Sequence, residues 1–314
     1  MIEIISTTNL TKTYGETHVV DNVNLSVKQG EIFGFLGLNG AGKTTTIRML
    51  LGMIAPTSGQ CYLQGKKVSA GNINTWRDVG YIVETPYSYP ELTVRENLEI
   101  VRRLRGIQDK SCVSWIIKKL KLEEYASKKA KHLSLGNAQR LGIAKAIIHK
   151  PKILILDEPT NGLDPAGIVE VRQLLMDLAK NSGVTILVSS HKLDEISKIA
   201  TNIAIIHDGN LIKEIDGKQL ENQLKKLLIL DGKERSAMKS ILSKAGYKVN
   251  AQDRRISEEF LPMKIQNEDA VNNPDKIATL LVNAGYPPTL LKVEKEDLEM
   301  YFLRTIKEIG GNLK

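Results

Sequence analysis

Residues 32–44 read Ile-Phe-Gly-Phe-Leu-Gly-Leu-Asn-Gly-Ala-Gly-Lys-Thr. The first five of these residues form an apolar run typical of a buried strand, while Thr44 to Leu51 has the composition of a helix. Between them, Gly37 to Thr44 matches the glycine-rich phosphate loop, whose place is between a strand and a helix. The sequence therefore predicts a strand–loop–helix unit that binds a nucleoside triphosphate.

The chemistry of this loop follows from its residue types. Glycines let successive backbone N–H groups point at phosphate oxygens, and the helix N-terminus favours an anion. Lys43 would bring positive charge to the β- and γ-phosphates, and the Thr44 hydroxyl is a hard oxygen suited to Mg²⁺. The residues that we expect to bind nucleotide here are Gly37, Asn39, Gly40, Ala41, Gly42, Lys43, Thr44 and Thr45.

Two adjacent acids follow a second aliphatic strand, Ile153 to Leu156. Ligands of open α/β sheets bind at the carboxyl ends of the strands, so Asp157 is placed to reach the Mg²⁺ held by Thr44. Glu158 can then polarise a water for attack on the γ-phosphate. Strands and helices continue to alternate after residue 152, which predicts an α/β fold with a parallel sheet.

Further motifs identify the family that the sequence resembles. Leu133-Ser134-Leu135-Gly136, with Gln139-Arg140 after it, lies between the phosphate loop and the acid pair, and Gly162-Leu163-Asp164-Pro165 and Ser189-Ser190-His191 follow that pair. This order resembles the ATP-binding cassettes of ABC transporters. The resemblance covers residues 1–216 and implies an α/β ATPase cassette with an antiparallel β subdomain and an inserted helical subdomain at about 88–150.

The resemblance also implies roles for single residues. Tyr14 matches the aromatic residue that stacks on adenine, and His191 matches the switch histidine that contacts the γ-phosphate. Ser134 and Gly136 match the signature positions that face the nucleotide of a second cassette, and Asp164 matches the loop that communicates between cassettes. The chain has one phosphate loop and one signature, so a second cassette, in a homodimer or another pair, is expected. ATP and Mg²⁺ are the implied cofactors, and a membrane permease is the implied partner.

The sequence departs from the family's LSGGQ signature at Leu135 and Asn137, the third and fifth places, and it departs again at Glu84. Glu84 stands where relatives usually carry Gln, in the loop that contacts both Mg²⁺ and the membrane subunit. A carboxylate remains a metal ligand, but it adds a negative charge. With Leu135 in the signature, this variant is similar to the ATP-binding subunits that confer bacitracin resistance and lantibiotic immunity. The resemblance therefore implies the export or removal of antimicrobial peptides.

The pattern changes near residue 217. Residues 217–314 read as a small α+β domain, with strands at 226–231, 247–265 and 290–293 and helices at 233–245, 275–284 and 295–308. Leu242-Ser-Lys-Ala-Gly-Tyr247 recurs as Leu281-Val-Asn-Ala-Gly-Tyr286, and each glycine fits a helix C-cap before a strand. The domain contains no recognisable catalytic motif.

Composition bounds the protein's class and location. The chain has 314 residues, 42% of them hydrophobic and 25% charged, which excludes disordered, collagenous and coiled-coil proteins. No run approaches the ~20 apolar residues of a membrane helix, and no signal peptide is expected. Cys61 and Cys112 have neither metal-ligand nor disulfide-framework spacing. We expect a cytoplasmic protein, peripheral at the inner face of the membrane through its permease.

Two alternatives remain open. The net charge of +8 is concentrated at residues 99–132, which hold ten Lys or Arg and four Asp or Glu. Such a cluster could favour a soluble ABC-type ATPase that acts on ribosomes or nucleic acid, although no aromatic residues interleave with it, and nucleic acid is not expected as a partner. A small-molecule kinase would leave the Ser134–Arg140 motif without a role.

Overall fold

The computed structural model of the chain describes residues 2–69, 76–250, 255–256, 259–260 and 262–308. It divides into two compact units, Met1–Lys218 and Gln219–Lys314. The strands of the first unit are β1 (Glu3–Tyr14), β2 (Thr17–Val23), β3 (Ser26–Lys28), β4 (Ile32–Leu36), β5 (Ser58–Leu63), β6 (Lys66–Lys67), β7 (Val79–Ile82), β8 (Ile153–Asp157), β9 (Thr185–Ser190), β10 (Asn202–His207) and β11 (Asn210–Asp216). Its helices are α1 (Lys43–Leu50), α2 (Val94–Leu104), α3 (Ser111–Lys119), α4 (Leu135–Ile147), α5 (Pro165–Ser182), α6 (Leu193–Ile196) and the boundary helix α7 (Gly217–Gln223).

The first unit contains two sheets. One is antiparallel, in the order β2-β1-β5-β6, with β3 also pairing with β1. The other runs β11-β10-β4-β9-β8-β7 and is parallel except for the β10–β11 hairpin. The predicted α/β fold, with a parallel sheet and an antiparallel β subdomain, is confirmed.

The parallel register gathers the motif residues at one edge of the second sheet. Leu36 of β4 pairs with Ser190 of β9, and Asp157 of β8 pairs with Ser189 of β9. Because parallel strands end at the same edge, the phosphate loop, the acid pair and His191 all leave the sheet together.

The helices α2, α3 and α4 lie between β7 and β8, where the sequence predicts an inserted helical region. A capping box starts α2: the Thr93 side chain accepts the Glu96 N–H, and the Glu96 carboxylate accepts the Thr93 N–H. Leu98 of α2 and Val113 and Ile116 of α3 are buried, as the apolar face of a packed helix requires.

The main core of the first unit lies around β4 and α1. Phe33 and Phe35 of β4 and Ile47 and Leu50 of α1 are completely buried in it. Each such side chain contributes about 1.5–3 kcal/mol by leaving water. The strand and the helix that flank the phosphate loop are therefore held rigidly on both sides of it.

The second unit is a four-stranded antiparallel sheet with helices. The elements are β12 (Lys226–Asp231), α8 (Arg235–Lys244), β13 (Val249–Asn250), β14 (Arg255–Ile256), β15 (Glu259–Phe260), β16 (Met263–Ile265), α9 (Glu268–Asn272), α10 (Pro274–Asn283), β17 (Leu290–Lys295) and α11 (Leu298–Glu308). The sheet order is β13-β16-β12-β17, and a separate two-stranded sheet pairs β14 with β15. A helix separates β12 from β13 and β16 from β17 in the chain, as in the β-α-β-β-α-β pattern of ferredoxin-like domains.

The repeated sequence of this unit forms the same turn twice. The N–H of Tyr247 donates to Leu242 O, and the N–H of Tyr286 donates to Leu281 O, both at 2.9 Å. Gly246 and Gly285 have φ of 88° and 85°, as the predicted glycine C-caps require. The sequence did not predict α9, a short helix that Asn273 separates from the start of α10 at Pro274. The predicted strand positions 251–254, 257–258 and 261 lie outside the described residues.

Candidate functional site

The phosphate loop has a backbone that only glycine adopts easily. Gly42 precedes α1 with φ of 103°, and a Cβ there would lie 2.6 Å from the Val19 carbonyl oxygen. Gly40 also has a positive φ, of 83°, but a Cβ there would meet nothing within 4 Å. A side chain at Gly42 would therefore clash with the packed chain beside the loop, whereas Asn39 and Gly40 at the tip of the loop are exposed.

Lys43 is buried at the start of α1. Its ammonium group donates to the carbonyl oxygens of Gly37 at 2.7 Å and Leu38 at 3.1 Å, and lies 3.7 Å from a Glu158 oxygen. Burial lowers the pKa of Lys43, and the charges of Glu158 and Asp157 oppose that shift. The side chain thus holds a cation inside the loop, where phosphate oxygens would be stronger acceptors than carbonyls.

Thr44 and Asp157 meet across the sheet edge. The Thr44 hydroxyl donates to Asp157 Oδ2 at 2.7 Å, and the Ser189 hydroxyl donates to Asp157 Oδ1. Asp157 is only 2% exposed. Two hydrogen bonds therefore fix the orientation of this carboxylate, as an outer-shell partner does for a metal ligand.

Glu158 has an unusual backbone. Its φ is +50°, and its N–H lies 3.2 Å from both the carbonyl and the hydroxyl oxygen of Ser189. The His191 Nδ1 atom lies 2.9 Å from Glu158 Oε2. Both carboxylate oxygens of Glu158 are buried, and neither accepts a well-aligned hydrogen bond. A buried acid without full hydrogen bonding is uncommon, and it is typical of a functional site.

These residues fit ATP and Mg²⁺. The hydroxyl of Thr44 and the carboxylate of Asp157 are hard oxygen ligands, and Mg²⁺ is commonly held by one or two carboxylates together with phosphate oxygens. Backbone N–H groups at the start of α1 and the ammonium of Lys43 would bind the phosphates. The buried oxygens of Glu158 would then gain a hydrogen-bond partner at the bound nucleotide or its attacking water.

The other nucleotide positions lie around the loop. Ala41 is buried and Thr45 is half-buried. Tyr14 ends β1 with half of its surface exposed, and the Lys12 ammonium lies 5.0 Å from its ring centroid. An exposed ring is available to stack on a base, which a tyrosine packed in the core would not be.

The signature motif starts α4. Ser134 is its N-cap and accepts the Asn137 N–H at 3.3 Å, and Gly136 is half-buried. Leu135 is 63% exposed and packs over Gly162, and a Cβ added to Gly162 would lie 2.3 Å from the Leu135 side chain. The leucine at this signature position therefore contacts the loop that follows the acid pair.

Two further contacts were not predicted from the sequence. Asp164 is the N-cap of α5 and accepts the Gly167 N–H at 3.0 Å, so it has a structural role in this chain in addition to the role implied by resemblance. The buried amide of Gln139 donates to the Pro159 carbonyl oxygen at 2.9 Å. Gln139 comes close to Glu158 only in the folded chain. The one sequence signal for this contact was the Gln139-Arg140 pair that follows the signature.

Glu84 lies after β7 with φ of +56°, and its carboxylate contacts Arg48 of α1 at 2.6 Å. The sequence predicts a metal contact here. The structure brings Glu84 to the helix that follows the phosphate loop, and its role at the metal stays a prediction.

The fold and this site define a phosphate-loop ATPase of the cassette type. The family model described as "ABC transporter" matches residues 20–161. The bacitracin transport ATP-binding protein BcrA of Bacillus licheniformis is 41% identical over 311 residues, which are 99% of each chain. The lantibiotic transport ATP-binding protein SrtF of Streptococcus pyogenes is 39% identical over 67% of this chain and 91% of its own.

A solved structure agrees with these relatives. The ATP-binding cassette MJ0796, a dimer in a post-hydrolysis state with ADP and Pi, aligns with a TM-score of 0.64 and 28% identity over 68% of this chain and 98% of its own. This chain belongs to the ABC transporter family, as an ATP-binding subunit that hydrolyses ATP. Within the described residues, none of the helices has the length and hydropathy of a membrane span.

Proposed function

We propose that this subunit energises a separate membrane permease that exports or removes antimicrobial peptides such as bacitracin or lantibiotics. One observation carries the substrate class: the identity to a bacitracin transport ATP-binding protein extends over 99% of both chains. The similarity therefore includes the second unit as well as the cassette that all ABC ATPases share.

The site supports ATP hydrolysis by named residues. Thr44 and Asp157 would hold Mg²⁺, which would neutralise phosphate charge, and Lys43 would bind the β- and γ-phosphates. Glu158 orients and deprotonates the attacking water, since its oxygens are buried and lack aligned donors. His191, whose ring nitrogen lies 2.9 Å from Glu158, contacts the γ-phosphate and orients that carboxylate.

Two copies complete the site. Ser134 and Gly136 of one copy face ATP bound by Lys43 and Thr44 of the other, and Asp164 lies in the loop between the copies. Ser134 and Asp164 are exposed in the single chain, and both are within one residue of a helix start. A helix N-terminus favours phosphate, so the signature helix α4 is suited to approach the second nucleotide.

Glu84 lies at the edge of a candidate permease surface. A cavity of about 550 Å³ extends from Arg48 and Glu84 to α2, and it includes Tyr87 and Leu104, which are 71% and 80% exposed. Exposed apolar side chains beside a cavity are typical of a protein contact site. A permease segment that binds here would hold the chain at the inner face of the membrane, as a peripheral cytoplasmic subunit.

The ribosome or nucleic-acid alternative is less well supported. Most cations of the basic cluster at residues 99–132 are used within the chain. The paired cations and their partners are Arg102 and Arg103 with Glu99, Arg105 with the Trp76 and Val79 carbonyls, Lys121 with Glu170, and Lys129 and Lys131 with Glu91. A phosphate backbone would have to compete for these groups.

Drug susceptibility tests the proposal. Cells that lack the subunit should become sensitive to bacitracin or to a lantibiotic, and the parent chain should restore resistance. Lys43→Ala should fail to restore it at equal expression, whereas a surface variant such as Glu124→Gln should succeed. Unchanged susceptibility to every peptide antibiotic, with the permease co-expressed, would contradict the substrate class.

A further inference from the structure

The strand β17 forms an open edge of the second unit's sheet. The sheet order ends with β17, whose one neighbour among the described residues is β12. Its side chains from Lys292 to Lys295 are exposed, and Val293 has 39% of its surface exposed. An exposed strand edge is a template for pairing with another chain, and native proteins usually protect it.

The register shows which backbone groups of β17 point outwards. Leu227 pairs with Glu294 and Ile229 with Lys292, and the Glu296 N–H donates to the Lys225 carbonyl at 2.7 Å. In an antiparallel ladder the hydrogen-bonding direction alternates from residue to residue. Lys292 and Glu294 therefore bond to β12, whereas the N–H and C=O groups of Leu291, Val293 and Lys295 point to the open edge.

We propose that the open edge pairs with the β17 edge of a second copy of this chain, antiparallel and centred on Val293. In this arrangement Val293 pairs with Val293 of the other copy, and Leu291 pairs with Lys295. The outward N–H and C=O groups of these residues are then hydrogen-bonded. The arrangement also places the exposed Val293 side chains against each other. The two four-stranded sheets become one continuous sheet.

Charge selects this register. With Val293 at the centre, Lys292 of each copy lies directly opposite Glu294 of the other, and opposite charges on facing strands are stabilising. The neighbouring symmetric registers, centred on Lys292 or on Glu294, would instead place like charges directly opposite each other. Charged side chains protect many strand edges, but here Lys292 and Glu294 alternate in sign and already pair within the chain.

The proposed interface is separate from the nucleotide site. It uses backbone and side chains of the second unit only, so it does not rest on the proposed function and needs no ATP. A single strand pair is weak by itself, but it would raise the local concentration of one cassette near the other.

Disulfide cross-linking of the full chain tests the register. Facing residues in non-hydrogen-bonded pairs have Cα atoms about 4.5 Å apart, within reach of a disulfide. We would mix Lys292→Cys chains with Glu294→Cys chains in the absence of nucleotide. The mixture should cross-link at least about tenfold faster than either variant alone. The mixed pair still has one Lys292–Glu294 contact between the copies. Cys61 and Cys112 are buried, and the unsubstituted chain gives their background.

Charge exchange gives an independent test. A Val293→Cys substitution, added to the parent and to each charge variant, reports self-association by disulfide cross-linking. In this assay Lys292→Glu chains and Glu294→Lys chains should each self-associate about tenfold more weakly than the parent. Mixing the two should restore the cross-linked yield, which an ion pair within one chain cannot do. Equal yields in the mixed and unmixed samples, or cross-linking by Lys292→Cys alone at the mixed rate, would overturn the proposal.

Discussion

The carboxylate of Glu84 lies 2.6 Å from the guanidinium of Arg48, in the last turn of the helix that follows the phosphate loop. From the sequence, the expected contacts of Glu84 were Mg²⁺ and the membrane subunit. The ion pair within the chain adds a physical link between α1 and the cavity beside α2. We propose that a change at the candidate permease surface reaches the nucleotide site through Glu84 and Arg48.

Glu84→Gln should leave the basal ATPase activity of the isolated subunit near normal, and it should reduce protection against peptide antibiotics in cells. An exposed ion pair is worth only about 0–1 kcal/mol, so the fold is retained, but a permease cation would lose a contact worth about 1.5–3 kcal/mol. Arg48→Gln is the matched control, since it breaks the same pair and keeps the carboxylate. Equal loss of protection in both variants would assign the effect to the ion pair and not to the permease.

Gln139→Leu should lower the ATPase rate about tenfold and change nucleotide affinity little. The Gln139 amide holds the Pro159 carbonyl oxygen, so its loss frees the segment that positions Glu158 while the phosphate loop stays intact. Steady-state turnover and equilibrium titration with ATP separate the two effects. A loss of affinity as large as the loss of rate would show that Gln139 supports the loop itself.

Half-buried His149 should make the fold sensitive to acid. Burial lowers the pKa of His149 from 6.5 to about 4, and its Nδ1 atom is buried without a partner. Between these two pH values the unfolded chain binds a proton that the folded chain does not, so the free energy of unfolding falls as the pH falls from 6.5 towards 4.

Replacement of His149 by Gln should remove roughly 1–2 kcal/mol of that pH-dependent loss, after allowance for solvent screening. Urea unfolding of parent and variant at pH 7 and pH 5 measures the difference. The exposed His132, changed to Gln, is the control. A parallel pH dependence in parent and His149→Gln would contradict the prediction.

Truncation after Lys218 should leave a folded cassette that binds ATP. The core around Phe33 and Ile47 contains no residue of the second unit, and every nucleotide motif ends by His191. Cooperative thermal unfolding and nucleotide titration of the truncated chain check this. An unfolded product without ATP binding would show that the second unit belongs to the same folding domain.

The local parts of the fold could be predicted because their signals are contained in short stretches. The strand before the phosphate loop is where the apolar run Ile32 to Leu36 places it, and the glycine turns at Gly246 and Gly285 follow from helix-capping chemistry. The parallel sheet follows from the alternation of strands and helices.

The remaining features depend on residues that are distant in sequence. The Arg48–Glu84 pair spans 36 positions, and Gln139 reaches Pro159 only after α4 has packed near the end of β8. The positive φ of Glu158 has no sequence signal, because glutamate rarely adopts it. The strand order of the second unit likewise required the structure, since alternation alone does not fix which strands pair.

The steady-state ATPase rate of Glu158→Gln, beside that of the parent and of Glu124→Gln, tests most directly whether this chain hydrolyses ATP with Glu158 as the base. Glu158→Gln should bind Mg-ATP and turn over at least about 100-fold more slowly, since an amide cannot accept the proton of the attacking water. ATP should hold this variant as a closed dimer in gel filtration. Hydrolysis by Glu158→Gln within a few-fold of the parent rate would show that Glu158 is not the base.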